Sequence, residues 1–413
     1  MRFGFLTAGF PLVLSNYQAA DDLNLCGTES IPAYTAANTT AKLVSVNTFF
    51  RHGMRGTTKR VTCFPGNAQI SFPAMLASES AVQYNTTVNG TLLQSNRLVK
   101  EYTAGFQYGQ LVDYAVTQMD RLASYLMTAY PGIINSANLD NLYLRSTDLP
   151  RTLGSLTLLI QGIAGGSGSV FPVVTDEYDY DPLAMSTKLC PLVNQIETNY
   201  TTSASYKEIT DSDAYKQCGS LWKSNVGTTF DSQARDCILP PACAGRPFPS
   251  GVNMTDDLFS CVMENFISLH KLHYGFPSNN TWTSNAQKYC TLATGPFMKT
   301  LYTNVVEESQ SGLWAAHDDT IACMLTNWGL WDGYLPVFAD FISIETYDDG
   351  RVRILRDGVE LGWKDNMTEI VSEVQRNSTL FSSACAVPNN IPKDVFVFKG
   401  VIAVSVALLA ALL

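Results

Sequence analysis

Leu43-Val44-Ser45-Val46-Asn47-Thr48-Phe49-Phe50 runs without a break into Arg51-His52-Gly53-Met54-Arg55. The first eight residues read as a buried strand that ends in polar residues, so the chain delivers a histidine and two arginines to a strand's C-terminal tip. In open α/β sheets that edge is where ligands bind. Two guanidinium forks flanking an imidazole suit a tetrahedral dianion such as phosphate better than a carboxylate or a metal. Taken alone, the five residues fit a loop histidine between two surface charges equally well.

Two distant segments repeat the pattern. Asn141-Leu142-Tyr143-Leu144-Arg145-Ser146-Thr147-Asp148 carries a short apolar strand into an arginine, and Gly312-Leu313-Trp314-Ala315-Ala316-His317-Asp318 carries one into a histidine beside a carboxylate. Together the three strand ends supply three arginines, two histidines and one acid. With these residues in place the chain resembles the histidine acid phosphatases, which are marked by an Arg-His-Gly-x-Arg-x-Pro loop and a later His-Asp pair. Arg51 to Arg55 match the loop, Leu144 to Asp148 followed by Arg151-Thr152 match a second phosphate-binding block, and His317-Asp318 match the pair, over about residues 42 to 360. Gly56-Thr57 replaces the x-Pro of the pattern, and Met54 stands where an acidic or small residue is common. Both departures bear on leaving-group preference.

The chemistry these residues can perform is phosphate-monoester hydrolysis without a metal or cofactor. His52 is the expected nucleophile, with Gly53 allowing close approach of the backbone and one ring nitrogen held by a backbone carbonyl. Arg51, Arg55, Arg145 and His317 are the expected phosphate ligands, and Asp318 the general acid and then base. Arg151 is assigned a supporting place near Asp148, and Asp319 the first turn of the helix after His317, where a carboxylate favours the dipole. A neutral His52 and a protonated Asp318 together predict activity below neutrality.

The fold expected is α/β, a mainly parallel central sheet flanked by helices, with an inserted smaller, mostly helical, disulfide-rich cap. Strands alternate with helices at Leu98 to Leu126 and Leu149 to Ile163, which assigns residues 21–170 and 295–385 to the sheet domain. Residues 171–294 hold most of the cysteines and Pro-rich turns at Pro240-Pro241 and Pro247-Phe248-Pro249, and form the expected cap. A hairpin is expected around Asp348-Asp349-Gly350.

Residues 1–20 read as a secretory signal, with apolar Phe3 to Leu14 and small residues at Ala19-Ala20. Eight Asn-x-Ser/Thr sequons, at Asn38, Asn85, Asn89, Asn199, Asn253, Asn279, Asn366 and Asn377, agree with a glycosylated ectodomain. Ten cysteines on that route point to disulfides rather than a metal site, with Cys323 read as a buried free thiol. Residues 386–413 end in the uncharged run Gly400 to Leu413, and Ser382-Ser383-Ala384 with the spacer after it fits a glycolipid-anchor signal better than a membrane span. Membrane attachment would then come through this tail, at the cell surface or in the lumen.

A net charge of −10 excludes nucleic acid as a natural partner. His270 and His273 read as exposed positions on a helix from Leu258 to His273, with no metal partners at suitable spacing. The leading expectation is a phosphomonoesterase; the alternatives are a phytase-like inositol-phosphate phosphatase and an inactive surface receptor retaining a phosphate pocket. The resemblance also implies a homodimer, although the chain identifies no interface.

Overall fold

A computed structural model describes residues 25–27, 30–58, 63–67, 83–88, 91–93, 109–165, 170–176, 180–231, 233–277, 279 and 282–386. The expected leader, the tail after 386 and the start of the helix expected at Leu98 lie outside the described residues. In chain order the elements are β1 (Leu43–Arg51), β2 (Gln83–Val88), β3 (Thr91–Leu93), α1 (Tyr114–Ala129), β4 (Tyr143–Ser146), α2 (Pro150–Ala164) and β5 (Val170–Val174). A helical run follows: α3 (Pro191–Thr202), α4 (Ala204–Thr210), α5 (Asp213–Asn225), α6 (Ala234–Cys243), α7 (Asp256–His273), α8 (Thr283–Ala293) and α9 (Gly295–Val306). The chain then returns through β6 (Gly312–Ala316), α10 (Asp318–Trp328), β7 (Phe341–Tyr347), β8 (Val352–Arg356) and β9 (Val359–Lys364). It closes on α11 (Met367–Ile370), α12 (Glu373–Arg376) and α13 (Ser378–Cys385).

The described strands form one sheet in the order β3-β2-β5-β4-β6-β1-β7-β8-β9. Its centre, β2-β5-β4-β6-β1, is parallel, whereas β3 pairs antiparallel with β2 and the β7-β8-β9 meander adds an antiparallel edge beside β1. The sheet is therefore mixed around the expected parallel core. Parallel strands must be covered on both faces, and β1 shows how: Val46 and Phe50 join the cluster built on α1 and α2, while Phe49 stacks on Trp314 in the cluster built on α9 and α10. Pro150 at the first turn of α2 and left-handed Gly165 after its end bound that helix, as their backbone preferences dictate. The β7–β8 hairpin turns at Asp348-Asp349-Gly350 with Gly350 at φ +88°.

β5 pairs with β2 and β4, so residues 170–174 belong to the sheet and the helical run begins only after them. That run is fastened by disulfides. Cys26–Cys243 and Cys63–Cys237 tie both ends of α6 to segments on either side of β1, and Cys218–Cys261 joins α5 to α7. Cys190–Cys385 and Cys290–Cys323 complete the set. Cys323 is thus not the free thiol expected from its apolar surroundings, because α8 packs against α10 and brings Cys290 to it. Ser382-Ser383-Ala384 lies within α13, whose end is bonded to Cys190, so an anchor cut at Ser382 would sever that bridge.

A thiol titration of the denatured, unreduced protein should find no free cysteine; one or more thiols per chain would contradict the pairing. Replacing both Cys290 and Cys323 by serine should lower stability by about 4 kcal/mol in denaturant unfolding, the chain-entropy value for a loop of this size.

Candidate active site

Strand register builds the site. Arg51 on β1 lies opposite Ala316 on β6, so the next residues, His52 and His317, leave neighbouring parallel strands side by side. Their rings stand 5.7 Å apart at 70°. On the other side of β6, Ser146 lies opposite Ala315, and Thr147 emerges next to His317, with Thr147 Oγ1 3.0 Å from His317 Nε2. His317 is also the N-cap residue of α10, which puts Asp318 and Asp319 in that helix's first turn.

His52 is buried and fixed from several directions. Its Nδ1 lies 2.8 Å from the Gly53 carbonyl oxygen, an arrangement that makes Nδ1 the protonated nitrogen and leaves Nε2 with its lone pair. The Gly53 N–H donates to Ser155 Oγ on α2 (2.9 Å), and the Met54 N–H to Gln118 Oε1 on α1 (2.7 Å). A Cβ at residue 53 would stand 2.7 Å from the Ala115 Cβ, so only glycine lets α1 pack this closely beneath the loop. Burial is the main force holding the imidazole of His52 well below its ordinary pKa, and the positive charges of Arg151, Arg51 and Arg55 add to it. His317 is lowered for the same reasons, burial first and Arg151 next, against the opposing pull of Asp318.

Arg51 and Arg55 each have a carboxylate partner. Arg51 reaches Asp318 Oδ2 at 3.1 Å, donates to the Pro336 carbonyl at 2.7 Å and lies 4.3 Å over the Phe338 ring. Arg55 pairs with Asp236 of α6 at 2.7 Å, and Thr58 donates to the same carboxylate from its N–H and its hydroxyl. Burial pushes Asp236 up, but Arg55, Arg235 and the Thr58 hydrogen bonds outweigh it and bring the group to about 2. Asp318 behaves alike: burial raises it, and Arg51, Arg235 and His270 override that to hold it well below the usual carboxylate range. Its neighbour Asp319 faces the other way, accepts from Tyr274 Oη at 2.7 Å and is raised by burial and by Asp318 itself.

Arg51, His52, Arg55, His317 and Asp318 therefore converge as the sequence suggests. Arg145 has other partners: its guanidinium is bound to Asp181 at 2.5 Å and Asp176 at 2.9 Å, and donates to the Ser146 and Val174 carbonyls. The charge felt most strongly by both histidines is Arg151, in the first turn of α2. The signal for it was in the sequence, as the second arginine of the Arg145 to Arg151 block. Arg235 and Asp236 carried no such signal, since their only local mark is the adjacent Cys237.

His270 and His273 are not the exposed residues expected. His270 is 8% exposed among Phe266, Tyr274 and Trp331, its Nε2 has no partner, and burial lowers it to about 3. His273 stacks on Tyr200 and reaches Glu197 at 2.8 Å. Met54 is fully buried in the apolar cluster of Val112, Trp222 and Phe259, which accounts for a large apolar residue at that place in the loop. Among the described residues no group of histidine, cysteine and carboxylate side chains is arranged to hold a metal ion.

Residues 42–273, more than half of the chain, match the model of the histidine phosphatase superfamily, branch 2. The chain belongs to this family. Human lysophosphatidic acid phosphatase type 6 is 24% identical over 333 residues, covering 74% of this chain and 74% of its own length. Mouse testicular acid phosphatase is 23% identical over 296 residues, 66% of this chain and 65% of its own. The fold is also that of the Hafnia alvei phytase in its apo form, with TM-score 0.54, 11% identity and coverage of 86% of this chain and 100% of the phytase. This histidine acid phosphatase is accordingly an enzyme, a phosphomonoesterase.

Stability should carry the mark of the buried neutral histidine. A lowered pKa in the fold means that the unfolded chain takes the proton first as pH falls below about 6.5, and stability is lost at up to about 1.4 kcal/mol per pH unit for each such group. His270→Gln removes one of them, so its stability relative to wild type should improve steadily from pH 6.5 to pH 4 in denaturant melts. A constant difference across that range would show that His270 titrates normally.

Proposed function

We propose that the enzyme hydrolyses phosphate monoesters through His52, with Asp318 exchanging the proton. His52 Nε2 forms the bond to phosphorus as the ester P–O bond breaks, and the departing oxygen takes the proton of Asp318 to leave as the alcohol. Water then attacks the phosphohistidine, gives its proton to Asp318 and releases phosphate, which restores both groups. The observation that carries this reading is the Nδ1 contact to the Gly53 carbonyl, which orients a neutral imidazole with Nε2 available. Arg51, Arg55 and His317 are assigned to the phosphoryl oxygens, and Arg151 replaces Arg145 among them, because Arg151 is the charge felt most strongly by both His52 and His317 whereas Arg145 is bound to two carboxylates contributed after β5. Buried Nε atoms of Arg51 and Arg55 lack a protein acceptor, as donors intended for an anion would.

Asp318 is what distinguishes this arrangement from an inert phosphate pocket. In the free enzyme it is a carboxylate, held low by Arg51 and Arg235. A phosphoryl dianion competes for Arg51 and brings negative charge beside Asp318, and both changes raise its pKa toward the protonated state the leaving oxygen needs. His52 meanwhile stays neutral well below pH 6.5. The two together favour turnover on the acid side of neutrality.

We also place the enzyme in the secretory pathway. All ten cysteines are paired, which suits an oxidising compartment, and the sequon residues Asn38, Asn199, Asn253, Asn279, Asn366 and Asn377 are exposed and open to glycosylation. A glycolipid anchor, if carried by the tail, requires a cut beyond Cys385 to preserve the bridge to Cys190.

Purified ectodomain should hydrolyse p-nitrophenyl phosphate with a maximum of kcat/KM below pH 7, and His52→Ala should abolish it; a maximum above pH 8 would contradict the pairing of His52 with Asp318. Arg151→Ala should cost roughly a hundredfold or more in kcat/KM, the scale for losing one donor to a developing oxyanion. Arg145→Ala should act chiefly on the melting temperature. The reverse ranking would return the phosphate role to Arg145.

A further inference from the structure

Arg235, the second residue of α6, stands beside Asp318 with most of its hydrogen-bonding capacity unspent. Its Nη1 donates to Asp318 Oδ2 at 3.3 Å, sharing that oxygen with Arg51, and this is the one acceptor it has among the described residues. The guanidinium carbon lies over the Phe266 ring, 4.0 Å from its centroid. Phe266, His270 and Tyr274 follow one another at four-residue spacing along one face of α7 and its end, and Tyr274 touches Asp319. Asp236, the next residue to Arg235, is locked to Arg55, and Cys237 is bonded to Cys63, so the backbone that carries Arg235 is fixed at the two positions that follow it.

This inference rests on Asp318 being the acid that protonates the leaving oxygen. That oxygen must then come within hydrogen-bond reach of Asp318, and the atoms attached to it pass beside the guanidinium. We propose that Arg235 is a specificity residue, which recognises an anionic group carried by the alcohol portion of the substrate close to the ester oxygen. On binding such a substrate, Arg51 turns its charge to the phosphoryl group and Arg235 to the second anion, and Asp318 loses both of its cationic partners together. A substrate with a neutral alcohol leaves Arg235 on Asp318, which keeps the carboxylate ionised when a proton is required. Selectivity for an anionic leaving group and the arming of the acid are thus one event. The guanidinium over Phe266 is a planar fork, which suits a planar carboxylate bound through two parallel hydrogen bonds.

The test compares 2-phosphoglycolate with ethyl phosphate, which offer the same ester with and without a carboxylate, on the disulfide-intact protein at its acidic optimum. Wild type should favour 2-phosphoglycolate in kcat/KM by roughly tenfold to a hundredfold, the range for a charged hydrogen-bonded pair, and raised salt should shrink the ratio. Arg235→Met should bring the ratio close to one, and Arg235→Lys should restore part of it. A wild-type ratio near one overturns the proposal without any variant having to fold. So does an Arg235→Met enzyme in which both substrates fall by the same factor, since Arg235 would then serve only to hold Asp318. Absence of turnover on both substrates and on p-nitrophenyl phosphate would instead overturn the phosphatase reading of the site, and this inference with it.

Discussion

Guanidinium groups at the carboxyl edge of a parallel sheet cannot be buried without counter-charge, and that requirement organises the enzyme. Arg51 is 1% exposed, and desolvation, helped by the nearby charges of Arg235 and Arg55, lowers even its pKa to about 10 against the opposing pull of Asp318. Asp318 answers Arg51, Asp236 answers Arg55, Asp176 and Asp181 answer Arg145, and farther along the same edge Asp340 and Asp332 answer Arg356. Such pairs are weak evidence for stability, because the desolvation of both ions offsets most of their attraction. On the proposed reading of the site their value lies in location: the carboxylates hold the cations where an incoming dianion would meet them.

The partners come from different parts of the chain, which couples the helical run to the sheet. Asp236 and Arg235 sit on α6, and two disulfides tie α6 to segments flanking β1. One strut therefore fixes both the partner of Arg55 and the arginine beside Asp318. The histidines have the opposite constraint. Buried first of all and surrounded by positive charge, His52 and His317 are both pushed well below the ordinary imidazole pKa, which under the proposed mechanism leaves one a lone pair and the other a hydrogen bond to give at acid pH. The proposed turnover at acid pH would follow from the same burial that demands the counter-ions.

The sequence made the sheet and the strand-tip residues legible because both rest on local patterns. A short, largely apolar run that ends in Arg-His-Gly marks β1, and Leu313 to Ala316 before His317 marks β6; the register between them follows once both are central parallel strands. What escaped was non-local. Arg145 and Arg151 are six residues apart, and the ion pairs of Arg145 to Asp176 and Asp181, contributed after β5, leave no local mark by which to tell the two arginines' surroundings apart. His270 looked exposed on its helix because the residues that bury it, Trp331 and the turn at Tyr274, come from a loop some sixty residues away and from the helix's own end. Cys323 looked unpaired for the same reason, its partner Cys290 being brought by helix packing.

Everything proposed for the reaction turns on which nitrogen of His52 attacks. The direct measurement is to incubate the Asp318→Asn protein, in which water attack should be slowed, with labelled p-nitrophenyl phosphate, quench in base and map the phosphorylated histidine and its isomer. The expected product is phosphohistidine at His52 carrying phosphorus on Nε2, since Nδ1 is engaged by the Gly53 carbonyl. Phosphorus on Nδ1, or a label on His317, would contradict the assignment of the nucleophile.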